Sequence, residues 1–221
     1  MSRWLYLALA VTIAAFAASG YVYLFAYDRL PEMIPVHWNI QGEPDRVVPR
    51  ADAWVNFWLT PLVMAGVLGL TFVLPWLSPK QFKVEPFLPA YEYIMAAVVL
   101  LFGYIHVILL VSSLDPKASL IRFMVAGILF FLALIGNVLG QVRRNFWMGV
   151  RTPWTLASDT VWIKTHRLAA WLFVAFGVLG GIASLAGLPL MLVFAGIIIA
   201  ALWPAVYSLV LYKRLEKQGR L

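Results

Sequence analysis

Between residues 145 and 167 the chain reads NFWMGVRTPWTLASDTVWIKTHR. This sets an imidazole at His166 among the cations Arg151, Lys164 and Arg167 and the hydroxyls of Thr152, Thr155 and Thr165. Imidazole is the commonest general base, and guanidinium groups hold phosphate through paired hydrogen bonds. The collection is compatible with an enzyme working on a lipid or a peptide at a membrane surface, with His166 as base and Arg151 or Arg167 on a phosphate. The rest of a catalytic constellation is missing, because no acid pair, metal cluster or nucleophile spaced for activation accompanies it. The residues therefore read as a binding or structural segment without a catalytic residue.

A second cluster, His37 with Glu43 and Asp45, raises the question of a metal or acid-base site. Zinc sites draw on three or four ligands, and His37 stands between Val36 and Trp38 with no second histidine nearby. No metal and no cofactor is expected. Cysteine is absent, so disulfides and thiolate chemistry are excluded outright. The segment from Asp28 to Trp54 must then be stiffened by Pro31, Pro35, Pro44 and Pro49, each of which fixes φ and removes a donor. Gly42, Glu43, Pro44 and Asp45 read as a turn reversing a short extended piece around Val36 to Asn39. A stiff loop of this kind presents a surface, and Pro35, His37, Trp38, Asn39, Gly42, Pro44 and Asp45 are its candidate ligand contacts.

The elements that position both clusters follow from composition. Hydrophobic residues make up 63 % of the chain and charged residues 12 %, with a mean hydropathy of +0.86, outside the range of soluble domains. Six stretches are long enough to cross a hydrocarbon core of about 30 Å, which takes about 20 helical residues: Trp4 to Tyr27, Val55 to Leu77, Tyr91 to Ser112, Leu120 to Gly140, Leu168 to Gly187 and Leu188 to Tyr212. The predicted fold is an all-α integral membrane bundle of six transmembrane helices. The first stretch runs past Ala15, Phe16 and Ala17, a possible cleavage pattern, and is too long for a signal core, so it reads as a true span.

Orientation follows from Lys and Arg. With the N-terminus inside, Arg3, Lys80, Lys83, Arg143, Arg144, Arg151, Lys164, Arg167, Lys213, Arg214, Lys217 and Arg220 fall on the inner side. Only Arg29, Arg46, Arg50, Lys117 and Arg122 fall outside. The positive-inside rule then places both termini in the cytoplasm. The net charge of +7 is a topology charge, and no direct nucleic-acid contact is expected.

Transporters and pumps keep ionisable groups inside their spans. Here only His106 lies well inside, with Asn137 as the strongest other polar group, which disfavours a small-solute transporter. His106 reads as a hydrogen-bonding tie to a neighbouring helix. Small residues at Gly66 and Gly69, Gly136 and Gly140, and Gly177, Gly180 and Gly181 mark expected helix contacts. Asp52 suits the cap of the second span, and Ser158 or Asp159 the cap of a helix whose first turns project beyond the hydrocarbon. On that helix Trp162 and His166 share a face, with Lys164 and Arg167 free to meet phosphates or a partner.

GNVLGQVRRNFWMGVRTPWTLASDTVWIKTHRLA, from Gly136 to Ala169, resembles the signature of the SdpI family of bacterial multi-pass membrane proteins. LPEMIPVHWNIQGEPDR, from Leu30 to Arg46, resembles the DUF1648-type module found N-terminal to it. The resemblance divides the chain into a two-helix module at 1–77, holding the outer loop 28–54, and a four-helix domain at 78–221, holding the inner signature loop 141–167. It marks Asn145, Gly149, Arg151, Thr152, Pro153, Trp154, Thr155, Trp162, Thr165, His166 and Arg167 as signature or partner-binding positions. It implies an immunity protein of the bacterial cell membrane, in contact with membrane lipids, that protects against a secreted peptide toxin outside and signals to a cytoplasmic repressor protein.

Overall fold

A computed structural model describes residues 2–115 and 120–221, with Asn56 described by its backbone alone. Lys117, counted above among the outer cations, lies outside the described residues. Helix α1 (Arg3–Tyr21) continues through a π turn at Val22–Ala26 and a 3-10 turn at Tyr27–Arg29. A hairpin of β1 (Met33–Trp38) and β2 (Pro44–Pro49) follows. Then come α2 (Trp54–Leu77), α3 (Leu88–Leu114) and α4 (Ile121–Leu139). The short α5 (Pro153–Ala157), α6 (Asp159–Leu185) and α7 (Leu190–Lys217) complete the chain. Among the described residues six helices are long and apolar enough to cross a membrane, so the chain is a multi-pass, all-α membrane bundle. One end carries the hairpin and the α6–α7 turn. The other, the signature end, carries the α2–α3 connection and residues 140–158.

Two prolines inside α2 explain how the first three helices are joined. Pro61 and Pro75 have no N–H to give to the carbonyls four residues earlier, those of Phe57 and Thr71. In a bilayer an unpaired carbonyl costs several kcal/mol, and each is taken by a hydroxyl from a neighbour. Ser19 of α1 donates to the Phe57 carbonyl at 2.7 Å, and Tyr91 of α3 donates to the Thr71 carbonyl at 2.9 Å. Since the Ser19 hydrogen is committed, its oxygen accepts from His106 Nε2 at 3.2 Å. His106, buried in α3, is the tie between helices that its isolation in an apolar span suggested.

The second half is built on backbone approach. A Cβ at Gly177 would lie 2.6 Å from the Leu129 carbonyl, and one at Gly136 would lie 2.8 Å from that of Ala170, so α4 and α6 touch along their main chains. Gly66, Gly69 and Gly140 face open space and do not serve such a contact. The α6–α7 turn closes with Leu188 N–H on the Ala183 carbonyl and Gly187 N–H on that of Ser184, and Gly187 takes φ +88. Arg122 of α4 donates to the carbonyls of Ser184 and Leu188 at 3.2 and 2.8 Å, placing a cation on the negative end of α6.

The hairpin is held from below by Val22, Leu30, Ile34, Ala53, Phe57 and Leu110. Its antiparallel register pairs Ile34 with Val48 and Trp38 with Pro44, with an irregularity at His37. Gly42 at φ +83 makes the reversal. Asp52 lies in a 3-10 turn at Arg50–Asp52 and makes no cap bond, because α2 begins after Ala53. Ser158 occupies the first position before α6 but its hydroxyl is not used, and Asp159 pairs with Arg144 instead.

Candidate functional site

The signature end is a folded knot rather than a linker. Asn145, fully buried, begins it. Its Oδ1 accepts from the N–H groups of Trp147 and Met148 at 2.8 and 2.9 Å, and its Nδ2 donates to the carbonyls of Arg143 and Met148 at 2.8 and 3.2 Å. An amide has two acceptor sites and two donors, so nothing remains for a ligand. Trp147 Nε1 donates to Ser78 Oγ at 2.7 Å, which binds the segment to the α2–α3 connection.

The chain then turns at Gly149, where φ is +103. A Cβ there would meet His166 Nε2 at 2.2 Å, so this position demands glycine twice, for conformation and for space. The next residue, Val150, donates its N–H to His166 Nε2 at 3.0 Å, and His166 Nδ1 lies 2.8 Å from the Trp162 carbonyl. A nitrogen that accepts from a backbone amide carries no proton, so His166 is the neutral tautomer with its hydrogen on Nδ1. The Trp162 ring stacks on the imidazole with centroids 4.0 Å apart, and its Nε1 donates to the Val142 carbonyl at 2.8 Å. The shared face expected for Trp162 and His166 therefore exists, but it points into the protein: both are buried beneath residues 142–150 instead of facing headgroups.

Pro153 starts α5, and Thr152 and Thr155 cap it reciprocally. Thr155 Oγ1 also donates to the Val150 carbonyl at 2.8 Å, and Thr152 Oγ1 bonds Ser208 Oγ of α7 at 2.9 Å. Trp154 packs with Tyr207 and Tyr212 around Val161, Leu211 and Leu215. Thr165 is buried with its hydroxyl unpartnered among the described residues. Arg151 lies outside the knot, donating to the Phe146 carbonyl at 2.6 Å. Arg167, one position past His166, is exposed on another face and joins Arg143 and Gln141 at a cleft. Nothing in the sequence singled out Ser208, Ser78 or Arg143: the first two are single hydroxyls in or at the end of apolar runs, and the last is one of two adjacent arginines, of which Arg144 is the one paired with Asp159.

At the opposite end the hairpin carries the second set. His37 Nδ1 and Asp45 Oδ1 are 2.5 Å apart across the strands, and both side chains are exposed. Glu43 is engaged elsewhere, accepting from Asn39 Nδ2 at 3.2 Å, while Asn39 Oδ1 accepts from the N–H groups of Gln41 and Glu43. Asn39, Gly42 and Glu43 thus make a tight side-chain-bonded turn. Pro44 is exposed, Trp38 is half-buried and lines a small cavity with Ile108 and Met124, and Pro35 is buried and shapes the hairpin from within. Arg50 anchors the base by donating to the carbonyls of Tyr27 and Leu30.

Comparison with known proteins returns the same two regions. Residues 141–208 match the SdpI/YfhL protein family, and residues 7–65 match a domain of unknown function, DUF1648. The chain is 26 % identical over 161 residues to the immunity protein SdpI of Bacillus subtilis (strain 168), covering 73 % of each protein. No solved structure matches. The knot around His166 thus opens the stretch that matches the SdpI/YfhL family, and the hairpin lies inside the stretch that matches DUF1648.

Proposed function

We propose that the chain is an immunity protein of the bacterial cell membrane that confers resistance to a secreted, membrane-active peptide toxin. The hairpin end faces outward and the signature end faces the cytoplasm, a reading supported by the excess of Lys and Arg at the signature end. Toxin is met at the hairpin. Its exposed face combines the His37 and Asp45 pair with exposed Met33, Ile40 and Val47, a mixed surface suited to an amphipathic peptide. The observation that carries the proposal is this stiff, anchored hairpin on a chain that resembles an immunity protein over 73 % of its length. The signature end presents Arg151 and Pro153, both exposed, to a cytoplasmic repressor.

The protein works by binding, not turnover. Both nitrogens of His166 are committed to backbone groups, which removes the imidazole as a general base. The test is survival of toxin-sensitive cells expressing the chain. Wild type is expected to protect, and His37→Ala with Asp45→Ala is expected to abolish protection at unchanged protein level. No gain in survival from wild type overturns the proposal.

A further inference from the structure

At the signature end a cleft of about 470 Å³ opens between the start of α3, the end of α4 and α6. Arg143, Arg167 and Gln141 supply its polar wall, and Phe87, Ala90 and Ile163 supply an apolar one. The guanidiniums of Arg143 and Arg167 make no ion pair or hydrogen bond among the described residues, whereas the neighbouring Arg144 is neutralised by Asp159 at 2.8 Å. Two cations facing one cavity without a counter-charge repel each other, so an anion there is favoured.

The depth of the cleft indicates which anion. Helix α4 ends at Leu139, next to the lining residue Gly140, and α3 begins at Leu88, next to Phe87. On α6 the lining residues are Ile163 and Arg167. The helix from Leu168 to Leu185 spans roughly 27 Å at about 1.5 Å per residue, close to the hydrocarbon thickness of about 30 Å. Arg143, four positions past the end of α4, and Arg167 on α6 therefore lie at headgroup level in a cleft also walled by the start of α3, beside apolar groups that can take glycerol and acyl chain.

We propose that this cleft binds the phosphate of an anionic phospholipid from the leaflet at the signature end, with Arg143 and Arg167 on the phosphate oxygens. The site is independent of toxin immunity, and its test does not use toxin. Purified full-length protein is titrated with phosphatidylglycerol, with zwitterionic phosphatidylcholine and with inorganic phosphate, and bound species are counted by native mass spectrometry. One retained phosphatidylglycerol per chain is expected. The double variant Arg143→Gln/Arg167→Gln is expected to weaken that binding about thirtyfold, two interfacial charges' worth. Arg143→Lys/Arg167→Lys keeps most of it, and Arg3→Gln/Arg220→Gln, which removes equal charge from other positions, leaves it unchanged. Equal retention by the Gln variant, equal retention of phosphatidylcholine, or inorganic phosphate binding as tightly as the lipid overturns the proposal. Both arginines are exposed, so the variants are expected to melt with wild type, and an unfolded Gln variant beside a binding Lys variant still tests the charge.

Discussion

Gly149→Ala isolates the contact on which the signature end closes. The substitution adds a Cβ that would sit 2.2 Å from His166 Nε2, at a residue whose φ is +103. An L side chain in that region costs about 1–2 kcal/mol. Relieving the clash pulls Val150 N–H off the imidazole, leaving the buried His166 Nε2 and a part-buried N–H unpaired at about 1–3 kcal/mol. The single substitution is therefore expected to destabilise by about 3 kcal/mol. His166→Ala removes the same hydrogen bond together with the stack on Trp162 and leaves a cavity, for about 3 kcal/mol. In the double variant the added methyl has nothing to strike and the bond is already lost, so only the backbone strain adds. The pair is expected to cost about 4–5 kcal/mol instead of about 6, a coupling of about 1–2 kcal/mol. Reversible unfolding in mixed micelles, followed by near-ultraviolet circular dichroism, measures all four corners of the cycle. Additive costs, or a Gly149→Ala protein within about 0.5 kcal/mol of wild type, would refute the contact.

Asn145→Ala is expected to cost about 3 kcal/mol in the same assay, since two N–H groups and two carbonyls lose their partner. Asn145→Asp is expected to fare no better, because a carboxylate keeps the acceptors and loses both donors. Tyr91→Phe and Ser19→Ala each leave a proline-freed carbonyl of α2 bare, and each is expected to destabilise by about 1–3 kcal/mol in detergent unfolding. Adding Pro75→Ala to Tyr91→Phe restores a backbone donor for Thr71 and is expected to recover part of that loss. Gly177→Val drives a branched side chain into the α4 backbone and is expected to cost about 3 kcal/mol or more, read as a lowered melting temperature, while Gly66→Val, at an open position, is expected to stay close to wild type.

The spans were legible because a hydrocarbon solvent demands long apolar runs, and each of the six appears as a helix, although α6 starts nine residues ahead of Leu168 and α7 runs five residues past Tyr212, where polar turns extend beyond the apolar run. The hairpin was half legible. Val36 to Asn39 read as extended, but Pro44–Pro49 did not read as its partner, because two prolines and the adjacent charges Asp45 and Arg46 hide the alternation that a paired strand normally shows. The signature end announced itself through residue types, while its burial did not. Trp162 and His166 next to lysine and arginine look interfacial, and only the fold of residues 142–150 over them, fixed by Asn145 and Gly149, shows that they are covered. Arg143 and Arg144 are neighbours with opposite surroundings, a difference set by Asp159 and invisible to charge counting. Spacing alone also could not separate Gly177, which touches a backbone, from Gly69, which touches nothing.

The partners of the signature segment arrive in chain order. The Asn145 turn uses only residues 143 to 148 and is complete once they are made. The Val150 amide must wait for His166, sixteen positions later, and Thr152 for Ser208, a further forty-two positions along. Closure of the segment thus records how much of the polypeptide has been threaded into the bilayer. The first latch sets as α4 finishes, the second needs α6 beside it, and the last needs α7 in place. A chain that stalls between these helices leaves polar groups unpaired at the membrane surface, while a finished one presents a closed seam.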